Sequence, residues 1–331
     1  MKWRLAALIL GCVIVLAVAV SVAGKSPIEA LTTLVKGSLG TPRARAGTLQ
    51  EMTPLLFASI GVFVALRAGL FNIGIEGQFL VGAMTATYAG LKGPGGPMGI
   101  GLAILAGSLA GAIWALPPAV IKAYRNGHEV ITTIMLNNVA SAFTAWVVAG
   151  PGKAPDAGSP TSANLPASLN LGNIQLAGVP VSYGLLGGFL LVAVVGWWLS
   201  RRVTGYEFRV TGANPRAARA AGINVPQQYL RAMIFSGAIG GLGGAIQVLA
   251  YEHRFYDSFS PGYGFDSLGV ALLAGSQAWI LLPAAGLFAV LAKGGTALDI
   301  FGVPKGITIM VLGMVILVVA AIRYRREDSV E

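Results

Sequence analysis

Glu76 and Asp266 each stand at the head of an apolar run, in Phe71-Asn72-Ile73-Gly74-Ile75-Glu76-Gly77-Gln78 and in Gly262-Tyr263-Gly264-Phe265-Asp266-Ser267. An ionisable group at membrane depth is costly, and is a functional candidate by default. Such a carboxylate can hold a proton or cation or line a polar pathway. It can also act structurally, as a helix cap or as a partner for Arg67. Asn137 and Asn138 sit in a second apolar run with Thr132, Thr133 and Ser141 nearby. Their amides suit hydrogen bonds between helices or the wall of a polar route. Asn72, Glu76, Gln78, Asn137, Asn138 and Asp266 are therefore the candidates for a pathway or its gating frame. Lys293-Gly294-Gly295 with Asp299 is a further charged pair in apolar text, where glycines permit a broken helix.

Other chemistry is missing from the sequence. It has no GxxxxGK[ST] phosphate loop and no HExxH, and His128 and His253 fall on opposite sides of the expected membrane. No catalytic residues, metal ligands or cofactor site can be assembled. A single cysteine excludes an internal disulfide and a thiolate cluster. Uphill movement of a solute would need an ion gradient or a second chain.

The elements that position these residues must be membrane helices. Of 331 residues, 55% are hydrophobic and 11% charged, against roughly 25% charged in soluble domains. That excludes a disordered chain, a disulfide-stapled module and a typical cytosolic enzyme. The 46 glycines suit close helix approach in lipid. A span needs about 20 apolar residues. Charge-free runs occur at Leu5–Gly24, Met52–Leu66, Gly77–Leu91, Gly93–Ile121, Val130–Gly152, Val181–Ser200, Ala232–Tyr251, Ser267–Ala292 and Gly306–Ile322, with a weaker segment at Pro283–Val303. The expectation is an all-α polytopic membrane protein of about ten transmembrane helices, forming one transmembrane domain over residues 1–331.

Placing the N-terminus inside puts fourteen of the 23 Lys and Arg residues on the cytoplasmic face and eight outside, which fits the positive-inside bias. The basic tail Arg323–Arg326 then also lies inside, so both termini are cytoplasmic. The net charge of +10 marks that face and does not point to nucleic acid. Met1–Gly24 has an apolar run too long for a signal peptide and reads as an uncleaved first helix. Text after Glu76 (Gln78–Ala83) resembles text after Asp266 (Val270–Gly275), and the two runs cross in opposite directions. This is a weak inverted repeat of the kind transporters use.

Three segments lie between spans. In the outer interfacial segment 25–50, Ser26-Pro27-Ile28-Glu29 has the layout of a capping box. It opens a short helix with Ile28, Leu31, Leu34 and Val35 on one face and Gly37 as its end. The outer loop 151–180 is either a disordered connector or a docking surface. In the cytoplasmic loop 201–231, Asn214 suits an N-cap, Pro215 the first turn, and Gly222 the residue past the end. That gives a short rigid helix presenting Arg216 and Arg219, which is either a docking element or a solvated connector.

The stretches Gly69–Gln78, His128–Asn137 and Gly212–Ile223 together resemble the permease family of bacterial ABC importers that includes the branched-chain amino acid and ribose permeases. The resemblance is greatest to the simple-sugar and nucleoside branch, and it runs from about Thr48 to Arg323. It implies a permease of the cytoplasmic (inner) membrane, surrounded by lipid, that is itself no enzyme. ATP is bound by a separate ATPase subunit. It further implies a second homologous permease and an extracytoplasmic substrate-binding lipoprotein. Gly212, Asn214, Pro215, Arg216, Ala217, Ala218, Arg219 and Gly222 would then form the coupling helix. His128 and Lys293 depart from the family pattern. Nucleosides are the favoured cargo, with simple sugars next. The rival from another class is a self-sufficient ion-coupled transporter using Glu76, Asp266 or Asp299, and a membrane scaffold is a third.

Overall fold

The computed structural model describes residues 14–304 except residue 16, together with residues 306, 307, 310, 313 and 314. The first expected span is therefore described only from residue 14. Most of the tenth (Gly306–Ile322), Lys305 and the tail Arg323–Arg326 lie outside the described residues.

The helices are α1 (Pro27–Leu39), α2 (Pro42–Arg67), α3 (Ile75–Lys92), α4 (Gly96–Trp114), α5 (Leu116–Arg125), α6 (Glu129–Ala149), α7 (Tyr183–Arg201), α8 (Val203–Ala213), α9 (Pro215–Ala220), α10 (Val225–Gln247), α11 (Tyr263–Ala274) and α12 (Leu281–Phe301). A small hairpin of β1 (Asn173–Leu176) and β2 (Val179–Ser182) precedes α7. Among the described residues, six helical stretches are long and apolar enough to cross a bilayer: Pro42–Arg67, Gly96–Arg125, Glu129–Ala149, Tyr183–Arg201, Val225–Glu252 and Ala278–Phe301. The chain is an all-α polytopic membrane protein.

The weaker segment Pro283–Val303 is a helix of its own, α12, and the charge-free run Ser267–Ala292 divides ahead of it. The segment that begins at Ser267 is shorter than a span requires. α11 has 12 residues, a rise of about 18 Å, too short for a hydrocarbon core of about 30 Å. It stops at Gly275, whose φ of +64° suits glycine alone. α12 then starts just before Pro283, where a first-turn proline costs no helical hydrogen bond. Conversely, Lys293-Gly294-Gly295 does not break a helix, because α12 runs through it to Phe301.

The chain divides into two compact units. In the first, which holds residues up to 52, 175–181 and those from 283, α1 packs on α12 around Val20, Ala30, Leu298 and Val303. Gly37 does not end α1. A Cβ there would collide with the Ala297 side chain, so this glycine is a contact point, and the helix continues to Leu39. Ser26 occupies the N-cap position without a side-chain bond, so the capping box does not close. Gly294 similarly admits Leu34, whose carbonyl oxygen would sit 2.8 Å from a Cβ. The Lys293 side chain lies over Gly47, within 2.9 Å of where its Cβ would be. The Thr48 hydroxyl donates to Ser38 O at 2.8 Å.

The second unit comprises residues 53–174 and 182–282. Its centre is a glycine seam joining α3, α4 and α10. A Cβ on Gly107 would lie 2.8 Å from Gly82 O, and one on Gly111 2.8 Å from Gly241 Cα. Gly82 and Gly241 meet backbone to backbone. Such contacts replace side-chain packing with close backbone approach, the usual means of helix association in lipid. Gly237, Gly240, Gly241 and Gly244 supply the α10 side of this seam. The first part of the loop 151–180 is ordered, bonded along the chain that follows α10. Ser162 N–H donates to Phe255 O at 2.8 Å, Leu165 N–H to His253 O at 2.7 Å, and Asp257 N–H to Pro160 O at 3.1 Å.

Candidate functional site

Residues 253–262, between α10 and α11, run from the loop 151–180 toward the head of α3, where Phe259 and Tyr263 pack on the Phe79 ring at 6.2 and 5.9 Å. Glu76, in the first turn of α3, accepts the Gly264 N–H at 2.6 Å. It thereby caps the start of α11, whose first N–H groups have no helical partners. The Ser260 side chain also hydrogen-bonds this carboxyl, while its oxygen accepts from the N–H groups of Gly262 and Tyr263 at 3.2 Å. Gly264 has to be glycine, because a Cβ would stand 2.5 Å from Glu76 Cα. The structural alternative for Glu76 was a helix cap or a pair with Arg67. The helix it caps is a different one, nearly 190 residues away.

Asn137 joins α6 to the same corner. Its Oδ1 accepts from Gly77 N–H and its Nδ2 donates to Ile73 O, both at 2.9 Å. Asn138, one residue on, is exposed and makes only a long 3.4 Å bond to Ile134 O. Replacing Asn137 with Ala leaves two buried backbone groups unpaired, at about 1–3 kcal/mol. Asn137→Ala is therefore expected to lower the melting temperature in detergent, and Asn138→Ala to leave it unchanged. Equal melting curves for the two would refute the distinction.

Between these elements lies a cavity of about 230 Å³ lined by Glu76, Leu80, Asn137, Asn138, Ser141, Thr144, Asp257, Ser258, Phe259, Ser260 and Phe265. Three of the sequence candidates (Glu76, Asn137 and Asn138) are brought together here. Asn72 and Gln78 lie outside the lining, bonded to one another: Asn72 Nδ2 donates to Gln78 Oε1 at 2.9 Å and to Ser236 Oγ at 2.8 Å. That network ties α3 to α10. Asp266 is half-buried in the first turn of α11 and also lies outside the lining. Asp257, Ser258, Phe259, Ser260 and Phe265 were missed. The signal available was the polar stretch Asp257–Gly262 running directly into the Gly264/Asp266 motif.

The loop 201–231 holds two helices, α8 and α9, where the sequence suggested one. α9 is capped at both ends. Asn214 Oδ1 accepts from Arg216 and Ala217 N–H at 3.0 and 3.1 Å. At the other end, Ile223 N–H bonds Ala218 O and Gly222 N–H bonds Arg219 O, both at 3.0 Å, with Gly222 at φ +80°. This is a Schellman motif. Ala218 is buried in α9, while Arg216, Ala217, Arg219 and Ala220 are exposed. Gly212 belongs to α8 and touches the turn after α2, where its Cβ would fall 2.7 Å from Gly69 N.

Residues 45–320 match the family described as branched-chain amino acid transport system / permease component. The guanosine ABC transporter permease protein NupP of Bacillus subtilis is 33% identical, covering 91% of this chain and 87% of the relative. The glucose ABC transporter permease protein TsgB13 of Haloferax volcanii is 32% identical over 95% and 84%, respectively. The nucleoside ABC transporter permease protein NupB of Lactococcus lactis is 30% identical over 94% and 87%. With its apolar helices, its polar cavity and a match this long, the chain belongs to the permease component family of branched-chain amino acid transport systems.

Proposed function

We propose that this chain is one half of the translocation pathway of an ATP-driven importer in the cytoplasmic membrane, with nucleosides as cargo and simple sugars next. The observation that carries the reading is the open face of the cavity. Asn138, Ser141, Asp257 and Ser258 are exposed and line it together. Polar side chains at membrane depth face a bundle interior or a water-filled space, so a second, homologous permease would close this face. The names of the relatives support nucleosides and glucose as the solute classes.

In this reading the chain is a single permease domain of about ten membrane segments, of which α11 crosses only part of the bilayer, with a weak inverted repeat and both termini inside. The capped helix 214–222 docks in a cytoplasmic ATPase subunit, which binds the ATP. Gly212 keys that helix to the α2–α3 turn, and Asn72 and Gln78 hold the gating frame behind Glu76. The outer loop 151–180 receives a substrate-binding lipoprotein. No step requires a cofactor, a metal or nucleic acid in this chain.

Co-purification from native membrane should recover an ATPase and a second permease, and the captured binding protein should gain thermal stability with nucleosides. Proton-driven uptake by this chain alone, without ATP, would overturn the reading.

A further inference from the structure

The cavity has an unusual charge balance for a membrane site beside an interrupted helix. The free N-terminus of a half-helix carries partial positive charge and commonly receives an anionic group of the solute. Here α11 begins at the cavity, but its first N–H groups already face the Glu76 carboxylate, with Gly264 N at 2.6 Å. Close contact of Gly264 with the Glu76 backbone leaves no room for a solute group between them. Asp257 adds a second carboxylate to the lining. Among the described residues, no Lys, Arg or His lines the cavity. The remaining polar groups are the amides of Asn137 and Asn138 and the hydroxyls of Ser141, Thr144, Ser258 and Ser260, with Phe259 and Phe265 as aromatic surfaces.

We propose that Glu76 and Asp257 make this cavity a charge filter. It admits neutral, hydroxyl-rich solutes with a stackable face and rejects those bearing a phosphate or net negative carboxylate. Glu76 acts in this as a positioning residue, whose carboxyl oxygen occupies the Gly264 N–H that the start of α11 would otherwise offer to an anionic group. Neutral hydroxyls match the amide and hydroxyl lining, and a flat ring matches the phenyl groups. An anion would meet the Asp257 carboxylate and find the Gly264 N–H already taken by Glu76, with no Lys, Arg or His among the described lining residues to offset them. The inference rests on the cavity being part of the pathway.

The test measures the field without depending on the cargo. Ser141→Cys is placed in a Cys12→Ala background within the assembled transporter in membrane vesicles. Its modification rates are measured with a cationic and an anionic methanethiosulfonate reagent of similar size. Each rate is divided by that with free 2-mercaptoethanol. The corrected ratio should favour the cation by about tenfold, and fall severalfold in Asp257→Asn and in Glu76→Ala, which frees the Gly264 N–H. Asp257 is exposed, so its variant folds even if Glu76→Ala does not accumulate. A ratio at or below one, or a ratio unmoved by Asp257→Asn and by an accumulating Glu76→Ala, overturns the filter while leaving the importer reading intact. Failure of both reagents to react overturns the pathway reading beneath it.

Discussion

Gly222→Pro is expected to abolish ATP-dependent uptake while the protein still inserts. Gly222 holds φ at +80°, and its N–H closes α9 on Arg219 O at 3.0 Å. Proline fixes φ near −65° and has no N–H, so the variant loses the bond and must rebuild the turn. Strain of that kind is worth about 1–3 kcal/mol, a large share of what can hold a six-residue helix in one orientation. The damage stays local, since a Cβ at Gly222 meets nothing within 4 Å. Gly222→Asn, which tolerates the left-handed region, should retain most uptake. Arg219→Glu should abolish uptake with the helix intact, because an exposed cation is replaced by an anion. Uptake near the parental rate in Gly222→Pro, assayed in vesicles with equal protein, would remove the coupling role from this helix.

Gly241→Leu should prevent accumulation of folded protein. A Cβ at Gly241 already clashes with Gly107 O and would lie 2.9 Å from Gly111 Cα. Those partners are backbone atoms of α4, so no rotamer change relieves the overlap. Overpacking ordinarily costs about 1–3 kcal/mol where side chains can shift, and more is expected where they cannot. Gly101→Leu is the control, as a Cβ there meets nothing within 4 Å. Fluorescence size-exclusion of the two variants in mild detergent decides the matter. A monodisperse peak of equal height for Gly241→Leu would refute the seam.

The sequence made some of this legible because the responsible physics is local. The Asn214–Gly222 caps follow from residue type and spacing within nine positions, and both form. The two overlapping GxxxG patterns around Gly237–Gly244 announce close packing, although not that the partners are Gly82, Gly107 and Gly111. The cavity was half legible. Glu76, Asn137 and Asn138 stand out as polar residues in apolar text, whereas Asp257–Ser260 read as ordinary outer loop. That assignment missed how residues 253–262 run to Glu76, a matter of three-dimensional path. The break at Gly275 was hidden because a charge-free run carries no sign of a positive φ. α8 was hidden for a similar reason, since Val203–Ala213 mixes charged, aromatic and glycine residues and shows no simple apolar period.

The seam has a mechanical consequence. α10 starts at Val225, three residues after Gly222, and its first turn is fastened by Asn224 to Gln227 N–H at 3.2 Å. Side-chain interfaces can creep by rotamer change, but a joint of backbone on backbone has no such play. α10, α4 and α3 would therefore be expected to move as one body, with the start of α10 beside the capped helix α9 and Glu76 on α3. If the capped helix docks on a motor subunit, a torque at Gly222 would reach Glu76 and the head of α11 through this backbone joint.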